Sequence, residues 1–226
     1  MSGPNEQMPS GFESREVVIP APGAVLRGSV AVPAGALGIV VFAHGSGSSR
    51  LSPRNLQVAE ALNGAGLATL LFDLLTAEEG RDRARVFDIP LLARRLAAAT
   101  DWLEAAPALS RLPIGLFGAS TGAAAALWAA AEHKSAFAIV SRGGRPDLAL
   151  PRLADVEAAT LLIVGGRDEI VLELNRAALA ALGCEAQLRV VQGATHLFEE
   201  PGALEEVARL AGDWFVRHLP GADGGR

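Results

Sequence analysis

The sequence predicts an α/β fold in which helices cover both faces of a doubly wound, mostly parallel sheet of about eight strands. Short β-rich runs alternate with helical patterns along the chain, and such alternation is typical of right-handed β-α-β crossovers. The later runs are continuously apolar, as in strands that are buried on both faces. The first two runs alternate apolar and polar residues, which indicates an antiparallel hairpin at the edge of the sheet.

Eight runs have the length and residue types of strands. The sequence at residues 39–43, IVVFA, and that at 160–164, TLLIV, are examples of the continuous apolar kind. The predicted strands span residues 16–19, 26–32, 37–43, 68–73, 114–117, 137–141, 160–165 and 186–191.

Helix signals fill the gaps between these strands. Ser52 and Pro53 are an N-cap followed by a first-turn proline, and Gly64 or Gly66 is expected to end that helix. Asp88 is expected to cap the next helix, whose apolar side chains recur at spacings of three and four.

Three more helices are expected further along the chain. Residues 121–133 are almost entirely Ala, Leu and Trp, which predicts a central helix packed on the sheet. Helical periodicity also covers about residues 171–182 and 201–218. The charged, aperiodic segment 76–85 is predicted to be a solvated loop.

The length and composition indicate a single domain. A chain of 226 residues can bury about 70% of its surface on folding. We expect a flexible N-terminus over residues 1–15, one domain over 16–219 and a flexible tail over 220–226. The one cysteine, Cys184, excludes an internal disulfide framework and is expected to be a small half-buried residue.

Charge and hydropathy exclude two classes of partner. The net charge of −5 argues against nucleic-acid binding, which needs a clustered cationic face. The first eleven residues lack the apolar core of a signal peptide, and the longest apolar run, residues 123–131, is far short of the roughly 20 residues that span a bilayer. The expectation is a cytoplasmic protein without a membrane partner, and its oligomeric state is not readable from the sequence.

A reactive serine follows the fifth predicted strand. The sequence Gly118-Ala119-Ser120-Thr121-Gly122 is G-x-S-x-G in the strand–turn–helix context that this motif requires. The turn is too tight for Cβ atoms two residues on either side of the serine. It lifts the Ser120 hydroxyl clear of the backbone at a helix N-terminus, which favours negative charge. The alternative reading is an ordinary turn in which Ser120 or Thr121 caps the helix.

A base and an orienting acid follow two later strands. Asp168 and His196 each lie just past a strand end, and the order Ser120, Asp168, His196 is that of the α/β-hydrolase triad. In open α/β sheets, such strand ends meet at one edge. Glu169 and Asp147 are rival acids, while Asp168 could merely cap a helix and His196 could be a loop histidine.

An oxyanion hole must accompany a nucleophilic serine. One donor is expected to be the N–H of Thr121. The other is expected from the Gly-rich loop after the third strand, HGSGSSR at residues 44–50, with the N–H of Ser46 first and that of Gly47 next. This loop lacks the lysine of a phosphate-binding P-loop. No His or Cys pair has metal-ligand spacing, so no metal is expected, and no cofactor is expected either. His133 and His218 lie at predicted helix ends and are expected to be structural.

Taken together, these motifs resemble the α/β hydrolases, and within them the small, lidless dienelactone-hydrolase-like group. The resemblance spans about residues 16–218 and rests on HGSGSSR at 44–50, SPRN at 52–55, GASTG at 118–122, GGRD at 165–168 and GATHLF at 193–198. It implies hydrolysis of a carboxylic ester or a similar acyl compound, a small-molecule substrate. Dienelactone hydrolases use a cysteine nucleophile, whereas this chain has Ser120, so lactone specificity is not implied. The combination also looks like hydrolase domains that bacteria sometimes fuse to a phosphoribosyltransferase.

The resemblance also bears on the substrate. Many members of the family insert a lid after the sixth strand, where this chain has only residues 142–156, so an open site unsuited to long-chain lipids is expected. Arg50, Arg142 and Arg145 are candidates for binding a substrate carboxylate or phosphate. The alternative is that these arginines pair with Asp147 or loop carbonyls and fix the loops.

The sequence therefore predicts a serine esterase that works through an acyl-enzyme. Activity should fall in acid, because the base His196 must be neutral to act. Thioesterase, peptidase or acyltransferase chemistry on the same triad stays open, as does a non-catalytic binding protein of the same fold.

Overall fold

The computed structural model describes residues 14–221 and contains one eight-stranded sheet in that range. Most residues of the predicted flexible ends, 1–13 and 222–226, lie outside the described residues, but the predicted bound at residue 15 is wrong, because Ser14 and Arg15 belong to the first strand. The strands are β1 (Ser14–Ala21), β2 (Ala24–Ala31), β3 (Ile39–Ala43), β4 (Ala68–Phe72), β5 (Ile114–Ala119), β6 (Ala136–Arg142), β7 (Ala159–Gly165) and β8 (Ala186–Val191). Every predicted strand is present, with bounds shifted by at most two residues.

The strand order across the sheet is β1-β2-β4-β3-β5-β6-β7-β8. The pairs β1–β2 and β2–β4 are antiparallel, and every other pair is parallel. This confirms the doubly wound sheet with an antiparallel hairpin at one edge. All residues of β3, β4 and β5 are buried, as their continuous apolar sequences predict.

The helices form a layer on each face of the sheet. They are α1 (Pro53–Gly64), α2 (Arg83–Val86), α3 (Ile89–Ala105), α4 (Thr121–His133), α5 (Glu169–Ala181) and α6 (Ala203–Arg217). Helices α1 and α6 pack on one face, where Trp214 and Phe215 are buried. Helices α3 and α4 pack on the other face. Burying a side chain of this size stabilises the fold by about 1.5–3 kcal/mol.

Local sequence signals fix where the helices begin. The Ser52 hydroxyl accepts a hydrogen bond from the Asn55 N–H, and Pro53 occupies the first turn of α1. The Asp88 carboxylate likewise accepts from the Leu91 N–H at 2.9 Å and caps α3. Both caps are as predicted, since a side-chain oxygen at this position satisfies an N–H that the helix leaves free.

The predicted solvated loop over residues 76–85 is confirmed in its exposure, since every residue except 76 and 79 is exposed, but not in its lack of regular structure. The segment folds into a 3₁₀ turn (Glu79–Arg81) and the start of α2. Its anchor is Glu79, whose side chain is only 10% exposed and accepts hydrogen bonds from Arg85 and from Arg95 of α3, each at 2.9 Å. Arg95 is itself buried. The charged run is thus fixed to the body of the protein by a half-buried ion network.

The carboxylate of Glu79 is held in its charged form. Burial by itself would raise its pKa, but the Thr76 N–H and the charges of Arg95 and Arg85 together lower the pKa below its usual value. The Thr76 hydroxyl in turn accepts a hydrogen bond from the Glu79 N–H. These reciprocal contacts make the segment a defined wall at the carboxyl edge of the sheet.

Candidate active site

Ser120 lies in a strained turn between β5 and α4. Its backbone angles are φ 51° and ψ −119°, a conformation that a residue with a side chain rarely adopts. The Ser120 N–H donates to the Arg142 carbonyl at 3.2 Å, and the Arg145 N–H donates to the Ser120 carbonyl at 3.1 Å. The turn is therefore held from both sides, by the last residue of β6 and by the loop that follows it.

The two glycines of the motif are required by close packing. A Cβ on Gly118 would lie 2.4 Å from the Cα of Ala123, and one on Gly122 would lie 2.1 Å from the carbonyl oxygen of Ala43. Both distances are far below van der Waals contact. The steric reason inferred from the motif thus applies in this structure, and the nucleophile turn packs directly on the end of β3.

His196 and Asp168 are brought together at the same edge of the sheet. The His196 Nδ1 and Asp168 Oδ2 atoms are 2.6 Å apart. Because a carboxylate only accepts, Nδ1 carries the proton in this contact and Nε2 is left as the basic nitrogen. The acid that contacts Nδ1 is Asp168. The rival Asp147 instead forms two hydrogen bonds with Arg145, at 2.8 and 2.7 Å.

The imidazole lies next to the segment that supports Ser120. A Cβ on Gly143 would be 3.5 Å from the His196 Cε1 atom. Gly143 directly follows Arg142, whose carbonyl accepts the hydrogen bond from the Ser120 N–H. Within residues 14–221, the Ser120 hydroxyl and His196 Nε2 do not form a hydrogen bond. Such contacts are often long in substrate-free enzymes and shorten when substrate binds.

The Ser46 N–H has a partner that the sequence did not indicate. It donates to Thr121 Oγ1 at 2.9 Å, joining the loop after β3 to the first residue of α4. Thr121 is buried, and both residues face the same cleft. The two predicted oxyanion donors are therefore neighbours, and in this structure the Ser46 N–H is already engaged by a hydroxyl.

His44 fixes the position of the same loop. The Leu74 N–H donates to His44 Nε2 at 3.1 Å, so Nε2 must be the acceptor and Nδ1 carries the proton, which it donates to the Gly45 carbonyl at 3.0 Å. Burial lowers the pKa of His44, against the raising effects of the Gly45 carbonyl and the Asp73 charge. The neutral ring thus links the loop after β3 to the loop after β4.

A cleft of about 230 Å³ opens beside these donors. Ser46 and Thr121 line it together with the apolar side chains of Leu74, Leu75 and Val86. One side of the cleft is formed by the 76–86 segment, which contributes Thr76, Ala77, Gly80 and Val86.

The three candidate substrate-binding arginines have different surroundings. Arg50 pairs with Asp73 at 2.9 Å and with Glu16 at 3.2 Å, and Arg145 pairs with Asp147. These contacts favour the alternative in which the two arginines fix the loops.

Arg142 has no carboxylate partner among residues 14–221. Its Nη2 donates to Asn55 Oδ1 at 3.2 Å, while its Nη1 is buried without a hydrogen bond. Burial, together with the nearby charge of Arg54, lowers the pKa of Arg142 to about 10. The guanidinium lies against α1 rather than along the cleft described above.

Sequence reasoning missed several residues of this edge. His44 could have been found, because it directly follows β3 in the motif that supplies Ser46. Arg95 also left a signal, since it lies three residues after Leu92 and four before Ala99, inside the apolar stripe of α3. A charged residue at such a position requires a buried partner, and Glu79 is that partner.

Residues 14–221 contain neither a candidate metal site nor a helix able to span a membrane. No group of three or more His, Cys, Asp or Glu side chains within 14–221 is arranged to hold a metal ion. None of the helices in that part of the chain is long and apolar enough to cross a membrane.

The strand order and the serine turn together define an α/β hydrolase. Residues 37–209 match the family described as "Alpha/beta hydrolase domain". Since this match covers more than half of the chain, the protein belongs to the α/β-hydrolase family.

Solved structures place the fold more closely. The chain is similar to a dienelactone hydrolase from Anabaena variabilis, with 54% sequence identity and a TM-score of 0.90 over 92% of this chain and 99% of that one. The fold is therefore dienelactone-hydrolase-like. An esterase of Pyrococcus furiosus is 20% identical with a TM-score of 0.75, over 97% and 96% of the two chains, which is a likeness of fold alone.

A longer relative is also similar to this chain. The Mycobacterium tuberculosis protein named "Putative phosphoribosyl transferase" is 61% identical over 216 residues, which are 94% of this chain and 49% of that protein. The chain thus spans about half the length of the curated relatives it matches first.

Proposed function

We propose that this protein is a serine hydrolase that cleaves a carboxylic ester through an acyl-enzyme, with Ser120 as nucleophile, His196 as base and Asp168 as orienting acid. The observation that carries the proposal is the 2.6 Å contact between His196 Nδ1 and Asp168 Oδ2, at the sheet edge where Ser120 lies in a strained turn. A serine needs such a base to attack a carbonyl, and the base needs such an acid to fix its tautomer.

In the first step, His196 Nε2 takes the Ser120 proton while the hydroxyl oxygen attacks the ester carbonyl. Asp168 accepts the hydrogen bond from Nδ1 and stabilises the imidazolium that forms. Its carboxylate is only 16% exposed, so solvent screens this interaction little. His196 then gives its proton to the departing alcohol, and a water molecule repeats the sequence on the acyl-enzyme.

The negative oxygen of the tetrahedral intermediate needs preorganised donors. One is the N–H of Thr121, which is free because it lies at the first position of α4. The second is Ser46, and its N–H acts through the Thr121 hydroxyl to which it is bonded. A hydroxyl that accepts one hydrogen bond becomes a stronger donor of the next.

The name of the longer relatives does not point to a second activity here. It belongs to proteins of about twice this length, whereas the family match of this chain over residues 37–209 is to an α/β-hydrolase domain. The alternatives that stay within the site are thioester, amide or acyl-transfer chemistry on the same serine, and a binding protein that does not turn over its ligand.

The test is a comparison of Ser120→Ala with the parent protein. We expect the parent to hydrolyse short p-nitrophenyl esters and to be labelled by a fluorophosphonate probe, and Ser120→Ala to lose both properties while keeping its circular dichroism spectrum. Ser110→Ala, at an exposed serine, is the matched control. Turnover that survives in Ser120→Ala would refute the nucleophile, and labelling without turnover of any acyl compound would favour the binding protein.

A further inference from the structure

The cleft of about 230 Å³ beside the oxyanion donors has no assigned occupant. The cleft lies close to the reacting centre, because Gly45 lines it and a Cβ on Gly45 would be only 3.0 Å from the Cβ of Ser120. A group bonded to the carbonyl that Ser120 attacks would therefore enter the cleft directly.

The cleft walls suit an apolar group. Leu74, Leu75, Val86 and Leu92 all contribute to the lining. The one acidic residue of the lining, Asp73, is paired with Arg50 through both its oxygens. The charge in the wall is thus already compensated, and the cleft offers no free cation to an anionic substrate group.

The sheet order decides which half of an ester lies in this cleft. Strands β3 and β4 lie on one side of β5, whereas β6, β7 and β8 lie on the other. The cleft is formed by the loops after β3 and β4, and His196 and Asp168 come from the loops after β8 and β7. The leaving alcohol must lie beside His196, which protonates it, so the acyl group extends to the opposite side.

We propose that this cleft is the acyl-binding pocket and that the natural substrate is an ester of a compact, uncharged, apolar acid. The proposal rests on the function proposed above. At about 230 Å³, the cleft is smaller than the roughly 300–1,000 Å³ pockets that hold drug-sized ligands, so it suits a short acyl group. The alcohol half is less restricted, since the His196 side chain is 39% exposed.

The outer wall is rigid enough to select by size. Val86 ends α2, and the segment before it is fixed to α3 by the buried pair between Glu79 and Arg95. A wall held by an ion pair at 2.9 Å, with further bonds between Glu79 and Thr76, resists displacement by a longer acyl chain. An acyl chain longer than the pocket therefore keeps the ester carbonyl from reaching its position beside Ser120.

The experiment is a pair of substrate series measured on three proteins. The first series varies the acyl chain of p-nitrophenyl esters, and the second keeps a butyryl group and varies the alcohol. In the parent, kcat/KM should rise over short acyl chains and fall once the chain is too long for the cleft, because the excess length displaces the reacting carbonyl. The alcohol series should show no comparable limit.

Val86→Phe fills the pocket and is the decisive variant. It should move the acyl optimum to shorter chains and reduce kcat/KM for octanoyl esters by about tenfold or more, with acetyl esters nearly unchanged. Ala84→Phe adds the same ring at an exposed position of the same short helix and should leave both series as in the parent.

Three results would overturn the proposal. If Val86→Phe changed the preferred alcohol rather than the preferred acyl chain, the alcohol half would lie in the cleft. If it changed neither preference, the cleft would not bind the substrate. A parent protein that hydrolyses none of the esters would instead overturn the proposed function, and the acyl pocket with it.

Discussion

The Ser46 N–H donates to Thr121 Oγ1 at 2.9 Å, across 75 residues of sequence. A backbone N–H so engaged cannot bind an oxyanion directly without giving up the hydroxyl. Thr121 Oγ1 donates no hydrogen bond within residues 14–221, so the hydroxyl can serve as the donor that Ser46 holds in place.

Replacing Thr121 therefore shows whether the second oxyanion donor is the Thr121 hydroxyl or the Ser46 N–H. If the hydroxyl is the donor, Thr121→Val, which keeps the shape of the side chain, should lower kcat by about 10²–10³-fold with KM nearly unchanged, as for loss of one oxyanion donor. Thr121→Ser should restore most of the activity. Steady-state kinetics on a short ester is the measurement.

The opposite result has a definite meaning. If the Ser46 N–H is itself the donor, Thr121→Val frees it, and kcat should stay the same or rise. Affinity for a boronic acid, which mimics the tetrahedral intermediate, should follow kcat/KM in either case.

Asp168 is expected to be essential for turnover but not for folding. Asp168→Asn keeps the size of the side chain but stabilises the wrong tautomer of His196, so kcat should fall by about 10⁴-fold. Glu169→Gln and Asp147→Asn are the controls, because neither residue contacts Nδ1. If either control lost more activity than Asp168→Asn, the orienting acid would have to be reassigned.

The sheet and the His–Asp pair could be predicted because their signals are local. Continuous apolar runs predict strands buried on both faces, and a residue just past a strand end lies at the carboxyl edge whatever the details of the loops. Asp168 and His196 needed only this argument to be expected within reach of each other.

The cleft could not be predicted because it depends on contacts between distant charges. Residues 76–85 carry six charged side chains, a composition that is usually solvated. Only the buried partner Arg95, contributed by α3, turns this segment into a wall. The bond from Ser46 to Thr121 is hidden for the same reason, since no local pattern relates the two residues.

His44 should make the stability of the protein depend on pH. Burial lowers the pKa of the folded-state ring, whereas the unfolded ring has its usual value near 6.5. As the pH falls below about 6.5, the unfolded chain binds a proton that the folded protein resists, so the free energy of unfolding decreases. The stabilisation is fully present above that pH.

The matched variant is His44→Gln, whose side-chain oxygen can still accept from the Leu74 N–H but does not titrate. Urea unfolding at about pH 7.5 and about pH 5.5 should show a smaller loss of stability for His44→Gln than for the parent. An equal loss in the two proteins would mean that His44 titrates alike in the folded and unfolded states.

Arg142 is expected to cost stability rather than to bind substrate. A pKa lowered to about 10 from 12.5 corresponds to a cost of roughly 3 kcal/mol for keeping the guanidinium charged in its buried position. Arg142→Met removes that cost but leaves Asn55 Oδ1 without its donor, which offsets about 1–3 kcal/mol. The free energy of unfolding should therefore rise slightly, by about 1 kcal/mol.

The same variant decides between this role and the binding of a substrate anion. If Arg142 is only structural, the ratio of kcat/KM for a hemisuccinate ester to that for the matching neutral butyrate should be the same in Arg142→Met and the parent. A selective loss on the anionic ester, with the neutral ester unaffected, would show that the guanidinium reaches the substrate. Arg145→Met, at the arginine already paired with Asp147, is the control for a general change in surface charge.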